Sequence, residues 1–258
     1  MRLDGKTAVV TGGGQGIGAA VVRALAGAGA SVVVSGRTLS KVEGVAEELR
    51  ARGHEVWAAA CDVSDPEAIT RFAAVARDTM GPVDILVNNA GIGHSAPLAK
   101  TTLEDWEHTI RVNATGAFLC LQAFLPAMLE RKWGRIINVA SMAGLEGSRY
   151  IAAYAASKHA MVGLTRAAAA EVAGTGVTVN AVCPGYVDTP MTEATIANIV
   201  RKTGKTADEA RAAIVATMPG GRMIQPEEVA HAVLTLAADA TGTINGQAVV
   251  LDGGATRA

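Results

Sequence analysis

The 258-residue chain lacks the features that would commit it to a metal, a disulfide scaffold or a nucleic acid. Its cysteines, Cys61, Cys120 and Cys183, are odd in number and have no metal-ligand spacing, so reduced, buried thiols are expected. None of the histidines, His54, His94, His108, His159 and His231, stands in a His-Glu-x-x-His or related pattern, and each reads as a surface or helix residue rather than a ligand. Neither sign of charge dominates. A net charge of −1 argues against a nucleic-acid-binding surface. No charged segment followed by an apolar one opens the chain, and no apolar run reaches the roughly 20 residues that span a bilayer. A soluble cytoplasmic protein with no membrane part is expected. There is no Gly-x-Ser-x-Gly elbow and no Gly-Lys-Ser/Thr closing a glycine loop, which removes the main support for hydrolysis and phosphoryl transfer. No repeat, low-complexity tract or linker marks a second domain, so residues 1–258 read as one.

What the chain does have is apolar residues, 50% of the total, enough to bury one large core. They fall in short runs near Thr7–Val10, Ser31–Ser35, Glu55–Cys61, Ile85–Asn88, Arg135–Ala140, Thr178–Val182 and Ala248–Leu251. Between these runs lie helical periods near Ile17–Ala28, Leu39–Arg52, Pro66–Met80, Leu103–Arg131, Ile151–Ala173 and Pro226–Ala238. Continuous apolar strands alternating with helices predict an α/β fold: a doubly wound, Rossmann-type parallel sheet covered on both faces.

Two motifs carry chemistry. The first strand runs into Thr11-Gly12-Gly13-Gly14-Gln15-Gly16-Ile17-Gly18, directly before a helix. Glycines there let the backbone approach a pyrophosphate, while the helix N-terminus offers unpaired N–H groups; the plainer reading is a glycine-rich turn. Tyr154 and Lys158 stand four residues apart, one turn of a helix. An ammonium at that spacing favours a phenolate and makes the tyrosine a proton donor; alone, the pair is equally a buried tyrosine tip beside a snorkelling lysine.

Taken in order with Asn88-Asn89-Ala90-Gly91, Asn113, Ser141 and Pro184-Gly185, these motifs resemble the short-chain dehydrogenase/reductase family. The resemblance covers essentially the whole chain. It implies an NAD(P)(H)-dependent oxidoreductase that moves hydride between nicotinamide and a carbonyl or secondary alcohol. Tyr154 would pass the proton, Lys158 would lower its pKa and bond the nicotinamide ribose, and Ser141 would hold the substrate oxygen. Asn113 would keep a water between Lys158 and solvent. The glycine motif, Gly12, Gln15, Gly16, Ile17 and Gly18, would hold the dinucleotide. The resemblance sets Asp62 and Val63 at the adenine, Asn89 at the ribose region, and Val187 and Thr189 at the carboxamide, and counts Gly91 among the cofactor-binding residues.

The second strand ends in Ser35-Gly36-Arg37, with glycine where family members using NAD carry an acid and an arginine beside it suited to a 2′-phosphate. NADP(H) is therefore expected over NAD(H), although Gln15 stands where many NADP-type relatives are basic and the plainer reading of Arg37 is a surface residue. Residues 190–221, carrying Arg201, Lys202, Lys205 and Arg211, read as a lid or as a solvated helix face. The expected substrate is a 3-oxoacyl thioester, with coenzyme A or a carrier protein as its expected carrier. Alternatives are a small neutral or hydroxy-acid alcohol, or a dinucleotide sensor without turnover. Alanine-rich helix faces and the resemblance together imply a homotetramer.

Overall fold

In the computed structural model, which describes residues 1–256, the apolar runs become β1 (Thr7–Thr11), β2 (Ser31–Gly36), β3 (Val56–Ala60), β4 (Ile85–Asn88), β5 (Gly134–Val139), β6 (Val177–Pro184) and β7 (Ala248–Leu251). The helical periods become α1 (Gly16–Gly27), α2 (Leu39–Arg50), α3 (Pro66–Met80), α4 (Leu103–Ile110), α5 (Gly116–Glu130), α6 (Ala152–Glu171), α7 (Pro190–Thr203), α8 (Ala207–Val215) and α9 (Pro226–Ala237). Arg257 and Ala258, the last positions of the expected 1–258 span, lie outside the described residues. The strands pair in parallel in the order β3-β2-β1-β4-β5-β6-β7, the doubly wound sheet expected from the sequence.

Parallel neighbours need crossovers, and helices on both faces supply them. Successive strand residues therefore enter different cores. Val10, Val32, Val34 and Val87 pack with Leu25 of α1 and Val229 and Val233 of α9. Val9, Val33, Leu86 and Ile136 meet Phe72 of α3 and Phe124 of α5 on the other face. Both faces being dry, no polar alternation survives, which is why the strands read as valine runs.

Two departures from expectation have physical causes. The single helix predicted over Leu103–Arg131 is interrupted by a π turn at Arg111–Thr115, where the widened backbone carries Asn113. The continuous stretch Leu103–Glu130 is also long and apolar enough to cross a bilayer, contrary to the expectation that no segment reaches that size. Here it is a core helix: Cys120, Leu121, Phe124 and Met128 are buried against the sheet.

Residues 190–221 hold α7 and α8, which pack around a satellite cluster of Ile196, Ala210, Ile214 and Met223 separate from the sheet cores. Local signals explain both helices. Thr189 caps α7 ahead of Pro190, Gly204 ends it in a left-handed turn, and Thr206 and Glu209 form a reciprocal capping box on α8.

Candidate active site

Strand order reverses between β1 and β4, so the loops leaving their C-terminal ends diverge and open a crevice. On the β1 side the glycines are sterically required. Gly12 has φ +66, and a Cβ there would lie 2.7 Å from the Ala90 Cα. Gly18 is equally confined, against Asn89 and the Gly12 carbonyl. Side chains are thus excluded where a diphosphate would rest. Gln15, the N-cap of α1, makes no side-chain cap and no acid occupies the first turn, so the helix start presents bare N–H groups and a positive dipole end. These residues fit a dinucleotide.

The two loops are fastened together. Asn89 Nδ2 donates to the Thr11 and Gly12 carbonyls at 3.0 Å each, and Thr11 Oγ1 accepts from the Asn89 and Ala90 amides at 3.1 Å. The Asn89 amide, placed by resemblance near the ribose, thus holds the glycine loop in shape. On the far side, Thr189 Cγ2 would stand 3.2 Å from a Cβ on Gly16, and Val187 bridges to Ile224.

Beyond the C-terminal ends of β2 and β3 lies a cavity of about 420 Å³ lined by Arg37, Cys61, Asp62, Asp65 and Arg71 among others. Burial works to raise the Asp62 carboxyl, but hydrogen bonds from the Ser64 amide (2.9 Å) and hydroxyl (2.7 Å), with Arg37 nearby, hold it below the usual range. Val63 is not among the lining side chains. It is buried in the core against Gly116.

The catalytic candidates meet between β5, α4–α5 and α6. Tyr154 and Lys158 stand one turn apart on α6, as the spacing predicts. Ser141, in extended conformation just after β5, accepts a hydrogen bond from the Ala143 amide at 3.1 Å and faces the Pro184 carbonyl at 3.5 Å. Burial pushes the Tyr154 phenol up; the Ser141 hydroxyl opposes this, while Tyr186 and Cys183 reinforce it. Burial brings the Lys158 ammonium down to about 8. Its Nζ donates to the Val139 carbonyl at 2.8 Å and lies 5.7 Å from the Tyr154 ring centroid. Burial is the largest influence on the phenol here, and the Lys158 ammonium is directed at a backbone carbonyl.

Asn113 makes contacts that the sequence reading does not name. Its side chain accepts from the Ile92 amide at 2.8 Å, donates to the Ile92 carbonyl at 2.9 Å, and donates to Ser157 Oγ at 2.9 Å. Ser157 Oγ in turn donates to the Tyr154 carbonyl at 2.7 Å. Asn113 so clamps the loop after β4 to the turn of α6 that carries Tyr154. Ser157, fully buried, was missed by sequence reading; its position three residues after Tyr154, on the same helix face, was the available signal. Gly91 forms the floor, where a Cβ would sit 3.2 Å from Asn113 Oδ1 and 3.7 Å from Lys158 Nζ.

Among the described residues no cluster of His, Cys, Asp or Glu is arranged to hold a metal ion. In the segment 190–221, Arg211 is occupied by Glu193 and Asp188, whereas Lys202 and Lys205 make no ion pair among the described residues. Asn198 of α7 donates to Ser95 Oγ at 2.8 Å, joining α7 to the loop after β4.

Comparison with known proteins agrees with this geometry. Residues 6–199 match the family model described as short chain dehydrogenase. The chain is 39% identical to a D-beta-hydroxybutyrate dehydrogenase of Rhizobium meliloti, with 97% of this chain and 98% of that protein covered. It is 36% identical to a 3-oxoacyl-[acyl-carrier-protein] reductase, FabG, of Thermotoga maritima, covering 98% and 99% of the two. A crystal structure of a variant actinorhodin polyketide ketoreductase with NADPH superposes with a TM-score of 0.94 at 38% identity, covering 99% of both chains. A match of this extent, on a site whose parts converge as described, has one meaning: the chain belongs to the short-chain dehydrogenase/reductase family, as an NAD(P)(H)-dependent oxidoreductase.

Proposed function

We propose that the protein reduces the ketone of a 3-oxoacyl thioester with NADPH, the reverse oxidation of the secondary alcohol using the same groups. The observation that carries this reading is the placement of Tyr154 beside the Ser141 hydroxyl and one helical turn from the buried Lys158. Bound NADPH supplies the hydride. Tyr154 gives its proton to the carbonyl oxygen as carbon is reduced, and Ser141 donates a hydrogen bond to that oxygen and steadies its growing charge. Lys158 would bond the nicotinamide ribose, and Asn113 keeps Tyr154 in register through Ser157. Gly12, Gln15, Gly16, Ile17, Gly18 and Gly91 surround the dinucleotide, Arg37 and Asp62 its adenosine end, Val187 and Thr189 its nicotinamide.

The likeness to a 3-oxoacyl-[acyl-carrier-protein] reductase over nearly the full length supports a thioester as substrate. The segment 190–221 acts as the lid, and Arg201, Lys202 and Lys205 on its exposed face suit phosphates of coenzyme A or a carrier arm. Exposed Leu103, Trp106 and Phe118 on α4 and α5 support self-association, most simply as a tetramer. The free thiols Cys61, Cys120 and Cys183 suit the cytoplasm.

The test is a cofactor-coupled assay of an acetoacetyl thioester, a neutral ketone and 3-hydroxybutyrate at low and high salt. The thioester is expected to have the highest kcat/KM, with a KM that rises with salt as screening shortens to about 8–10 Å. Faster turnover of 3-hydroxybutyrate would overturn the substrate assignment, and no turnover with any carbonyl would overturn the enzyme.

A further inference from the structure

The cofactor preference rests on more than Arg37. A phosphate monoester carries about −1.5 to −2 charge at pH 7, so one guanidinium leaves part of it uncompensated. The glycine loop offers no second cation, because Gln15 is neutral. The structure supplies one from α2. Lys41, in the first turn of that helix, lies directly over the loop: a Cβ on Gly14 would be 3.0 Å from the Lys41 Cβ. Its Nζ donates to Gln15 Oε1 at 3.0 Å. That contact uses the acceptor end of the Gln15 amide and leaves its NH₂ donors free.

The surroundings leave this charge uncancelled. No acid occupies the first turn of α2, and among the described residues neither Lys41 nor Arg37 takes part in an ion pair. Gly36, between the loop and Arg37, carries no side chain, and a Cβ there would stand 3.1 Å from Val42 Cγ1, so a ribose-binding acid would crowd α2.

We infer that Lys41, tethered by Gln15, is a specificity-determining residue that shares the 2′-phosphate of NADP(H) with Arg37. The cation absent from the loop is delivered across it from the neighbouring helix. This inference rests on the NADP(H) reading of the cofactor site.

Equilibrium binding separates the two. Dissociation constants for NADPH, NADH and 2′,5′-ADP are measured by fluorescence or calorimetry on the full chain and on Lys41→Met, Lys41→Arg and Gln15→Ala. Lys41→Met is expected to weaken NADPH and 2′,5′-ADP about tenfold, the loss typical of one charge-assisted contact, and to leave NADH within about twofold. Lys41→Arg is expected to retain most of the affinity, and Gln15→Ala to lose less than Lys41→Met because the ammonium remains. Thermal melting of each variant checks that the fold is intact. If the unmodified protein prefers NADPH but Lys41→Met leaves that preference unchanged, or weakens NADH equally, the assignment of Lys41 is overturned while the cofactor reading stands. If the unmodified protein binds NADH as tightly as NADPH, both fall.

Discussion

The candidate catalytic centre and the segment 190–221, proposed above as a lid, are built on opposite principles. Tyr154, Lys158 and Asn113 belong to one continuous scaffold: Ile92 and Ser157 hold the Asn113 side chain, the Val139 carbonyl holds Lys158 Nζ, and Ser157 holds the backbone carbonyl of Tyr154. Helices α7 and α8 share a core of four buried residues and are pinned largely by exposed contacts such as Arg211 with Glu193. Proton transfer tolerates little displacement, whereas admission of substrate needs a part that opens at low cost. On the proposed function, rigidity serves the first task and local independence the second.

The sharpest test of this division is Tyr154→Phe, which removes the proton donor and leaves the packing. It is expected to lower kcat by about 10²–10⁴-fold with the NADPH dissociation constant nearly unchanged. Steady-state kinetics and fluorescence titration measure both, and near-normal turnover would remove the tyrosine from the mechanism. Next comes pH. Lys158 is brought down to about 8 by burial, so it is charged below that value and loses its proton as pH rises through it. Reduction that needs the ammonium is expected to be flat below about pH 7 and to fall about tenfold per unit above the lysine pKa. A Lys158→Met variant whose residual activity keeps the same limb would assign the limb elsewhere.

Smaller effects sharpen the comparison from each side. Ser157→Ala unties Asn113 from the Tyr154 turn and is expected to lower kcat about tenfold with little change in KM, the cost of one buried hydrogen bond, with partial rescue by Ser157→Thr. Arg211→Met loosens the lid and is expected to raise KM a few-fold with kcat retained and the melting temperature within about 2 °C, as befits exposed ion pairs. A lid variant that lowers kcat as far as Tyr154→Phe would dissolve the distinction.

The same contrast governs how much of the molecule is legible in its sequence. Ile85–Asn88, Pro66–Met80 and Ala248–Leu251 have the bounds read from pattern alone, because a strand dry on both faces or a helix opened by Asp-Pro leaves a strong local trace. The lid helices were read only as one charged segment, although Thr189, Gly204 and Thr206 are local caps. The π turn left no trace, since it is imposed by where Asn113 must reach. Tyr154 and Lys158 were legible as a spacing on one helix. The Ser157 contact with Asn113 joins positions 44 apart, and Lys41 reaches Gln15 across 26. Such partners are chosen by tertiary approach and carry no periodicity.

The tie between Asn89 and the carbonyl of Thr11 joins residues 78 positions apart. The phosphate loop is therefore unfinished until β4 has docked beside β1, long after the loop's own residues leave the ribosome. Pairings of such high sequence separation form late, because closing the intervening chain costs entropy before any contact rewards it. Dinucleotide affinity in this protein is then a certificate of completed folding: a nascent chain ending before β4 has the glycines but no cradle, and the ligand, binding only the finished state, draws the population toward it.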